Sequence, residues 1–155
     1  MEQYYYIYKS PIGNIIIVEN GIGITEISIN KKPKNMTLKE TPLIKEAIKQ
    51  LTEYFNLKRQ SFDLPLSTSG TDFQEKVWQS LLKIPYGETK TYKEIAEDVN
   101  CPKGFRAVGL ANNKNKIMIV IPCHRVIGIN GKLVGYAGGL DIKKNLLDLE
   151  QKMIK

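Results

Sequence analysis

The sequence is poor in the residues that bind metals and staple small folds. Its 155 residues include one histidine, His124, and two cysteines, Cys101 and Cys123. A structural zinc site takes four ligands, mostly of these types. One His and two Cys fall short without carboxylates, so neither a metal nor a cofactor is expected. Two cysteines allow at most one disulfide, and in a reducing compartment both stay thiols. There is no long apolar run, so no membrane span and no membrane partner are expected. The opening Met1-Glu2-Gln3-Tyr4 lacks the basic start and apolar stretch of a secretory leader, and a cytoplasmic location is the resulting expectation. Acid is also in short supply. Sixteen Asp+Glu against 23 Lys+Arg leave a net charge of +7. That balance suits a polyanionic partner, although solvated lysine-rich surfaces produce it too.

What is present divides into two halves. Tyr4-Tyr5-Tyr6-Ile7-Tyr8 is aromatic and favours a strand. Ser10-Pro11-Ile12-Gly13 marks a turn, and a β-branched run follows over residues 14–19. Asn20-Gly21 then predicts a hairpin, with Ile22, Ile24 and Ile27 continuing beyond it. Residues 30–40 read as a loop. Thr41-Pro42 opens a helix, Thr as the cap and Pro at the first helical position. Ile44, Ile48, Leu51 and Phe55 carry its apolar stripe to about Asn56. Residues 59–70 read as a linker, which sets the expected lobes at 1–66 and 67–155.

The second half reads as helices with strong punctuation. Thr71-Asp72-Phe73-Gln74 and Thr91-Tyr92-Lys93-Glu94 are both capping boxes. Phe73, Val77, Trp78, Leu81 and Leu82 form one apolar face after the first. A short helix to about Val99, a break at Asn100-Cys101-Pro102, and a helix over residues 103–113 suggest a helix-turn-helix. Residues 117–121 are β-branched and end at Pro122, which suggests a strand before the Cys-His pair. A glycine-dense loop follows. A last helix over 141–153 has Ile142, Leu146, Leu149 and Met153 as its apolar stripe.

A thiolate is the nucleophilic form of cysteine and needs a base or a nearby positive charge. His124 is adjacent to Cys123, and Arg125 adds charge that would favour the thiolate. A base in turn needs an orienting group, commonly a carboxylate. Spacing alone does not choose which one. A buried Cys is as often a small apolar residue.

The run Ile121-Pro122-Cys123-His124-Arg125-Val126-Ile127 closely resembles the active-site signature of the O6-alkylguanine-DNA alkyltransferases, also called methylated-DNA–protein-cysteine methyltransferases. The likeness extends to Gly70 through Trp78, Ile84 through Thr89, Thr91-Tyr92, Arg106 through Asn115, Gly135 through Gly139, and Lys143 through Glu150, in the family's order. It is close over residues 70–150 and looser over 10–30. It implies an α+β fold: a small ribonuclease-H-like α/β lobe, then a mainly helical lobe with a helix-turn-helix and the reactive cysteine.

The resemblance also implies roles. Cys123 would attack the alkyl carbon of O6-alkylguanine, and of O4-alkylthymine, in a single-turnover reaction that leaves a thioether. His124 would take the thiol proton through a water, with Glu150 holding the imidazole. Tyr92 would donate a hydrogen bond to the leaving guanine. The Ala137 backbone would donate toward O6 from a loop shared with Tyr136, while carbonyls of Cys123 and Val126 would read the exocyclic amine. Asn115 would brace the active-site turn and link the DNA-reading helices. Arg106 would fill the gap left by a flipped base, since a base inside a duplex is out of reach. Gly104, Ala107 and Gly109 would let the recognition helix approach DNA closely. The implied partner is double-stranded DNA bound through the minor groove by a monomer.

Two positions depart from the family pattern. Ala137 replaces a frequent serine and keeps only the backbone donor. Phe105 stands where many relatives carry a small residue, and either packs inward or wedges into the groove. Cys101 matches no catalytic position and reads as structural. Three other readings compete. A lesion sensor would lack the acceptor cysteine, a cysteine hydrolase would have no use for the helix-turn-helix, and a plain regulator leaves the Cys-His run unexplained.

Overall fold

The structure, a computed structural model, describes residues 2–136 and 138–154, with the side chains of Met153 and Ile154 outside the description. The chain divides into two compact units, Met1–Thr68 and Ser69–Lys155.

The first unit is a four-stranded sheet of order β3-β2-β1-β4 with one helix. Strands β1 (Tyr4–Ser10) and β2 (Gly13–Glu19) pair antiparallel from Tyr4↔Glu19 to Ser10↔Gly13. Their turn is closed by the Ser10 hydroxyl, which donates to the Gly13 carbonyl at 2.6 Å. Gly13 has φ +125°, a region that side chains rarely adopt. Five successive residues of β2, Ile15 to Glu19, are buried. That unbroken burial marks a central strand covered on both faces, where alternation disappears. Strand β3 (Ile24–Ile29) follows the Asn-Gly turn, but Ile22 sits in that turn and is exposed. The loop expected over 30–40 contains a short strand, β4 (Thr37–Leu38), parallel to β1. Two exposed residues have no periodicity to read, which is why the sequence does not announce it. Helix α1 (Pro42–Phe55) starts at Thr41, whose side chain accepts from the Ile44 amide at 3.2 Å. It buries Ile44, Ala47, Leu51 and Tyr54, one face of the helix.

The second unit is helical. Helices α2 (Asp72–Leu82) and α3 (Tyr92–Asp98) both carry complete capping boxes. Each box satisfies two of the amides that a helix start leaves without partners. Helix α2 buries Val77, Trp78 and Leu81, while Leu82, expected on that face, is exposed. Trp78 donates its indole N–H to the Ala111 carbonyl at 2.9 Å, which ties α2 to α4 (Phe105–Asn113). Ser80 donates to Asp98 at 2.6 Å and ties α2 to α3.

Residues 117–121 do not form the expected strand. They make consecutive turns, with the Ile121 amide on the Ile117 carbonyl at 3.1 Å and Ile119 at φ +72°. A β-branched residue in that region is strained by about 1–2 kcal/mol. The strain is offset by burying five consecutive apolar residues, Ile117 to Ile121. Two short strands, β5 (Lys90–Thr91) and β6 (Val126–Ile127), pair in parallel. Helix α5 (Leu140–Ile154) closes the chain. Its apolar stripe was expected to point inward, yet its buried row is Lys143, Leu146 and Glu150. Met153, expected in that stripe, has its side chain outside the description.

Candidate active site

Cys123 opens a single 3-10 turn, Cys123–Arg125, that follows Pro122. The turn is set by the Cys123 amide on the Ile121 carbonyl at 2.7 Å and the Arg125 amide on the Pro122 carbonyl at 3.0 Å. Three residues per turn point successive side chains about 120° apart. Cys123 and His124 therefore diverge, as adjacent side chains do. Both are buried, and His124 is 0 % exposed.

Beneath the turn lies Asn115. Its side-chain amide donates to the Ile121 carbonyl at 2.9 Å, and its oxygen accepts from the Ile117 amide at 3.0 Å. Those bonds point the Asn115 side chain at the active-site turn. Asn112, on α4, donates to the Cys123 carbonyl at 3.4 Å. The same carbonyl accepts from the Val126 amide. Sequence reasoning missed Asn112, since one of three asparagines within residues 112–115 carries no distinguishing signal.

Glu150 reaches the turn from α5 and is buried. His124 Nε2 lies 2.7 Å from Glu150 Oε2. Arg125 donates through Nε to Oε1 at 2.9 Å and through a terminal nitrogen to Oε2 at 3.0 Å. Its other terminal nitrogen donates to the Ile84 carbonyl at 2.7 Å, and its guanidinium stands 5.6 Å over the Tyr86 ring. The Gly87 amide adds a bond to Glu150 at 3.2 Å. Arg125 was expected to favour the thiolate. Instead its charge is engaged with Glu150, in the bidentate geometry that suits a guanidinium and a carboxylate. His124 Nδ1 is buried and meets no hydrogen-bond partner among the described residues.

The short β5–β6 pairing aligns Thr91 with Ile127 and so brings the start of α3 beside the Cys-His turn. Tyr92, the first residue of α3, is expected to face the leaving base. Here its hydroxyl donates to the Val134 carbonyl at 2.9 Å and approaches that of Gly135 at 3.4 Å. Gly109 lies against the Tyr92 ring, where an added Cβ would sit 3.9 Å from it. A Cβ on Gly104 would collide with the Cys101 sulfur. Gly104 therefore serves packing within the helix pair, with Cys101 filling the turn between the helices, whereas Gly109 leaves room for a Cβ against Tyr92. Lys143 also reaches the 134–135 carbonyls, at 3.0 and 3.5 Å, from the buried row of α5. The family likeness over Lys143 through Glu150 includes it without giving it a role, and it lies seven residues before Glu150 on one helix face.

The electrostatics favour a resting thiol and a neutral imidazole. Burial pushes the Cys123 thiol up, and Asn115, Lys143 and Tyr136 pull it back only in part. Burial also lowers His124, although Glu150 opposes this. Burial alone would raise Glu150, but its bonds to His124 and Arg125 hold it down at about 2. Arg125 is the permanent cation in that group and the firmer cause. The Tyr136 hydroxyl is buried near the thiol without a hydrogen bond of good geometry. Burial holds its phenol well above the ordinary value, and Cys123 adds to this.

On α4, Phe105, Arg106 and Ala107 are all exposed, and Phe105 is 52 % exposed, so it does not pack inward. Gly104 caps this helix without a side-chain bond, which leaves the first amides open. Val126 is fully buried in β6. Ala137 lies outside the described residues. Among the described residues, no helix is long and apolar enough to cross a membrane, and no His, Cys, Asp and Glu cluster could hold a metal.

Two family models match the chain. Residues 3–68 match the ribonuclease-like domain of 6-O-methylguanine DNA methyltransferase, and residues 72–152 match its DNA binding domain. The chain belongs to the 6-O-methylguanine DNA methyltransferase family. A methylated-DNA–protein-cysteine methyltransferase of Methanosarcina barkeri is 50% identical over 98% of this chain and 99% of its own length. The constitutive enzyme of that name from Bacillus subtilis is 46% identical over 96% of this chain and 95% of its own. The Mycobacterium tuberculosis O6-methylguanine methyltransferase structure superposes with a TM-score of 0.91 at 41% identity, covering 97% of this chain and 94% of that one. A structure of the same mycobacterial protein in complex with DNA aligns equally well, at 43% identity. The chain thus has an α+β architecture with a ribonuclease-like first domain, shared over nearly its full length with the mycobacterial structure.

Proposed function

We propose that this protein repairs O6-alkylguanine in DNA by moving the alkyl group irreversibly onto Cys123, once per molecule, with O4-alkylthymine as a second substrate. The observation that carries the reading is a buried cysteine on the same turn as a neutral imidazole whose Nε2 is held by Glu150. The remaining imidazole nitrogen, Nδ1, is unpartnered among the described residues and can take the thiol proton through a bridging water.

The transfer forms a bond between Cys123 Sγ and the alkyl carbon as the bond from that carbon to O6 breaks. The electron pair of the broken bond returns to the purine. In net terms, the thiol proton ends on the base. Proton removal belongs to the reaction itself, because the resting thiol is held neutral by burial. Glu150 stays ionised throughout and stabilises the imidazolium that forms. Tyr92 gives its hydroxyl proton bond to the leaving purine, which makes the anion a better leaving group. Tyr136 and Val126 line the base site.

The second unit supplies both the chemistry and the DNA contact. Helix α4 enters the minor groove of duplex DNA. Arg106 fills the space of the flipped base, with Phe105 and Ala107 beside it and Gly109 supporting the helix. Asn115 acts from below by holding the turn. The protein works as a monomer in the cytoplasm, without cofactor or metal.

The test is repair itself. A duplex containing O6-methylguanine is incubated with limiting protein, and restored guanine is counted. One guanine restored per protein supports the reading. Continued turnover, or none restored, would reject it.

A further inference from the structure

Lys143 is a buried, charged side chain at this site that the reaction just described does not use. It is 0 % exposed, and burial lowers its ammonium from the ordinary 10.5 to about 8, which still leaves it mostly charged at neutral pH. Burying a charge is costly unless it is hydrogen-bonded or paired. Three groups receive it: the Val134 carbonyl at 3.0 Å, the Gly135 carbonyl at 3.5 Å, and the Tyr92 ring at 5.8 Å. The Tyr92 hydroxyl donates to the same two carbonyls, at 2.9 and 3.4 Å. The two donors therefore converge on one stretch of loop, and that loop leads directly to Tyr136 beside Cys123.

This convergence creates a conflict that the reaction must resolve. Tyr92 cannot bond the loop and the leaving purine with its single proton. When the hydroxyl turns to the base, the Val134 and Gly135 carbonyls lose a donor. Val134 and Gly135 lie on an exposed loop, so a carbonyl that loses its donor there gives up only the modest net gain of one hydrogen bond, which still opposes the turn. An ammonium has three donors and no acceptor, so Lys143 can hold both carbonyls alone. Gly135, at φ +58°, takes the left-handed conformation that favours glycine and so shapes the loop that both donors reach.

We propose that Lys143 is a positioning residue that retains the Val134–Gly135 backbone so that Tyr92 is released to the leaving base. The proposal rests on the reading of Tyr92 as the donor to the purine. Helix α5 then supports the reaction twice from one face, through Glu150 at His124 and through Lys143 at the loop. The positive charge also faces Cys123, and its field opposes the upward push of burial on the thiol.

The experiment measures single-turnover methyl transfer from an O6-methylguanine duplex in four proteins: wild type, Lys143→Met, Tyr92→Phe and the double variant. Lys143→Arg is measured beside them. Lys143 is bonded to carbonyls and not to a carboxylate, so Lys143→Met keeps the length and leaves no unpaired charge behind; it should fold, and its thermal midpoint checks this. Transfer should slow roughly ten- to a hundred-fold in Lys143→Met, the scale of one charged hydrogen bond. Lys143→Arg should recover part of that loss. The penalty of Tyr92→Phe should shrink in the Lys143→Met background, because there the hydroxyl is already retained on the loop. A simple structural weakening would leave that penalty unchanged. Full-rate transfer by Lys143→Met, or an equal Tyr92→Phe penalty in both backgrounds, overturns this proposal alone. A wild-type protein that moves no methyl group overturns the functional reading, and this proposal with it.

Discussion

Replacing Glu150 with alanine should unfold the second unit far more easily than its position near a helix end suggests. The carboxylate accepts from His124, twice from Arg125 and from the Gly87 amide, at 2.7 to 3.2 Å. Its removal leaves a guanidinium that is 6 % exposed without its anion. Breaking a buried ion pair by deleting one partner costs about 3–5 kcal/mol. Trp78 is the only tryptophan and lies buried in the second unit, so its fluorescence reports that unit selectively. Urea unfolding of Glu150→Ala followed at Trp78 should show a loss of about 3–5 kcal/mol. Glu150→Gln keeps the volume and one acceptor and should lose less. Pairing Glu150→Leu with Arg125→Met removes both charges together and should recover much of the stability, because no unpaired ion remains. A loss below about 1 kcal/mol in Glu150→Ala, the range of exposed pairs, would refute the buried-cluster account.

Three further outcomes follow from the same geometry. Arg106→Ala should slow repair of duplex DNA at least about tenfold, on the scale of the unstacking energy that flipping requires. Its reaction with free O6-benzylguanine should stay near the wild-type rate, and equal slowing of both would remove base flipping from its role. Stability should fall on acidification. Burial lowers the His124 value below its ordinary 6.5, so the unfolded chain binds that proton first and the loss begins as pH drops through 6.5. Glu150 adds a second loss between an ordinary 4.5 and about 2, which Glu150→Gln should abolish; urea midpoints across pH check both. Asn115→Ala should slow methyl transfer about tenfold, since it releases bonds to the Ile117 and Ile121 backbone worth about 1 kcal/mol each. A single-turnover rate equal to wild type would show that the turn needs no brace.

Local signals carried most of the fold. Thr41-Pro42 and the boxes at Thr71 and Thr91 are written into a few adjacent residues, because capping is local chemistry. The family likeness pointed to the two-domain architecture that the structural relatives share. Elements without a local code stayed invisible. Strand β4 exists only through pairing with β1. The run over 117–121 has strand propensity but is turned by burial on all sides, a tertiary override of preference. Burial also misled the reading of α5. Apolar periodicity points to Ile142 and Leu149, while the helix buries Lys143 and Glu150, whose ion pair and carbonyl bonds come from distant segments. The candidate site shows the same division. Cys123 and His124 stand in the motif itself, and Glu150 is implied only by the family likeness. The engagement of Arg125 with Glu150, the Asn112 contact and the placement of Lys143 depend on long-range geometry that spacing does not encode.

The central claim concerns a single atom, the Cys123 sulfur. It is tested most directly by incubating the protein with a duplex containing O6-methylguanine and then measuring the mass of its peptides. The account predicts a gain of one methylene on the peptide that contains Cys123, in one event per molecule, and no gain in Cys123→Ala. An unchanged mass in the wild type, or the same gain with Cys123 replaced, would contradict it.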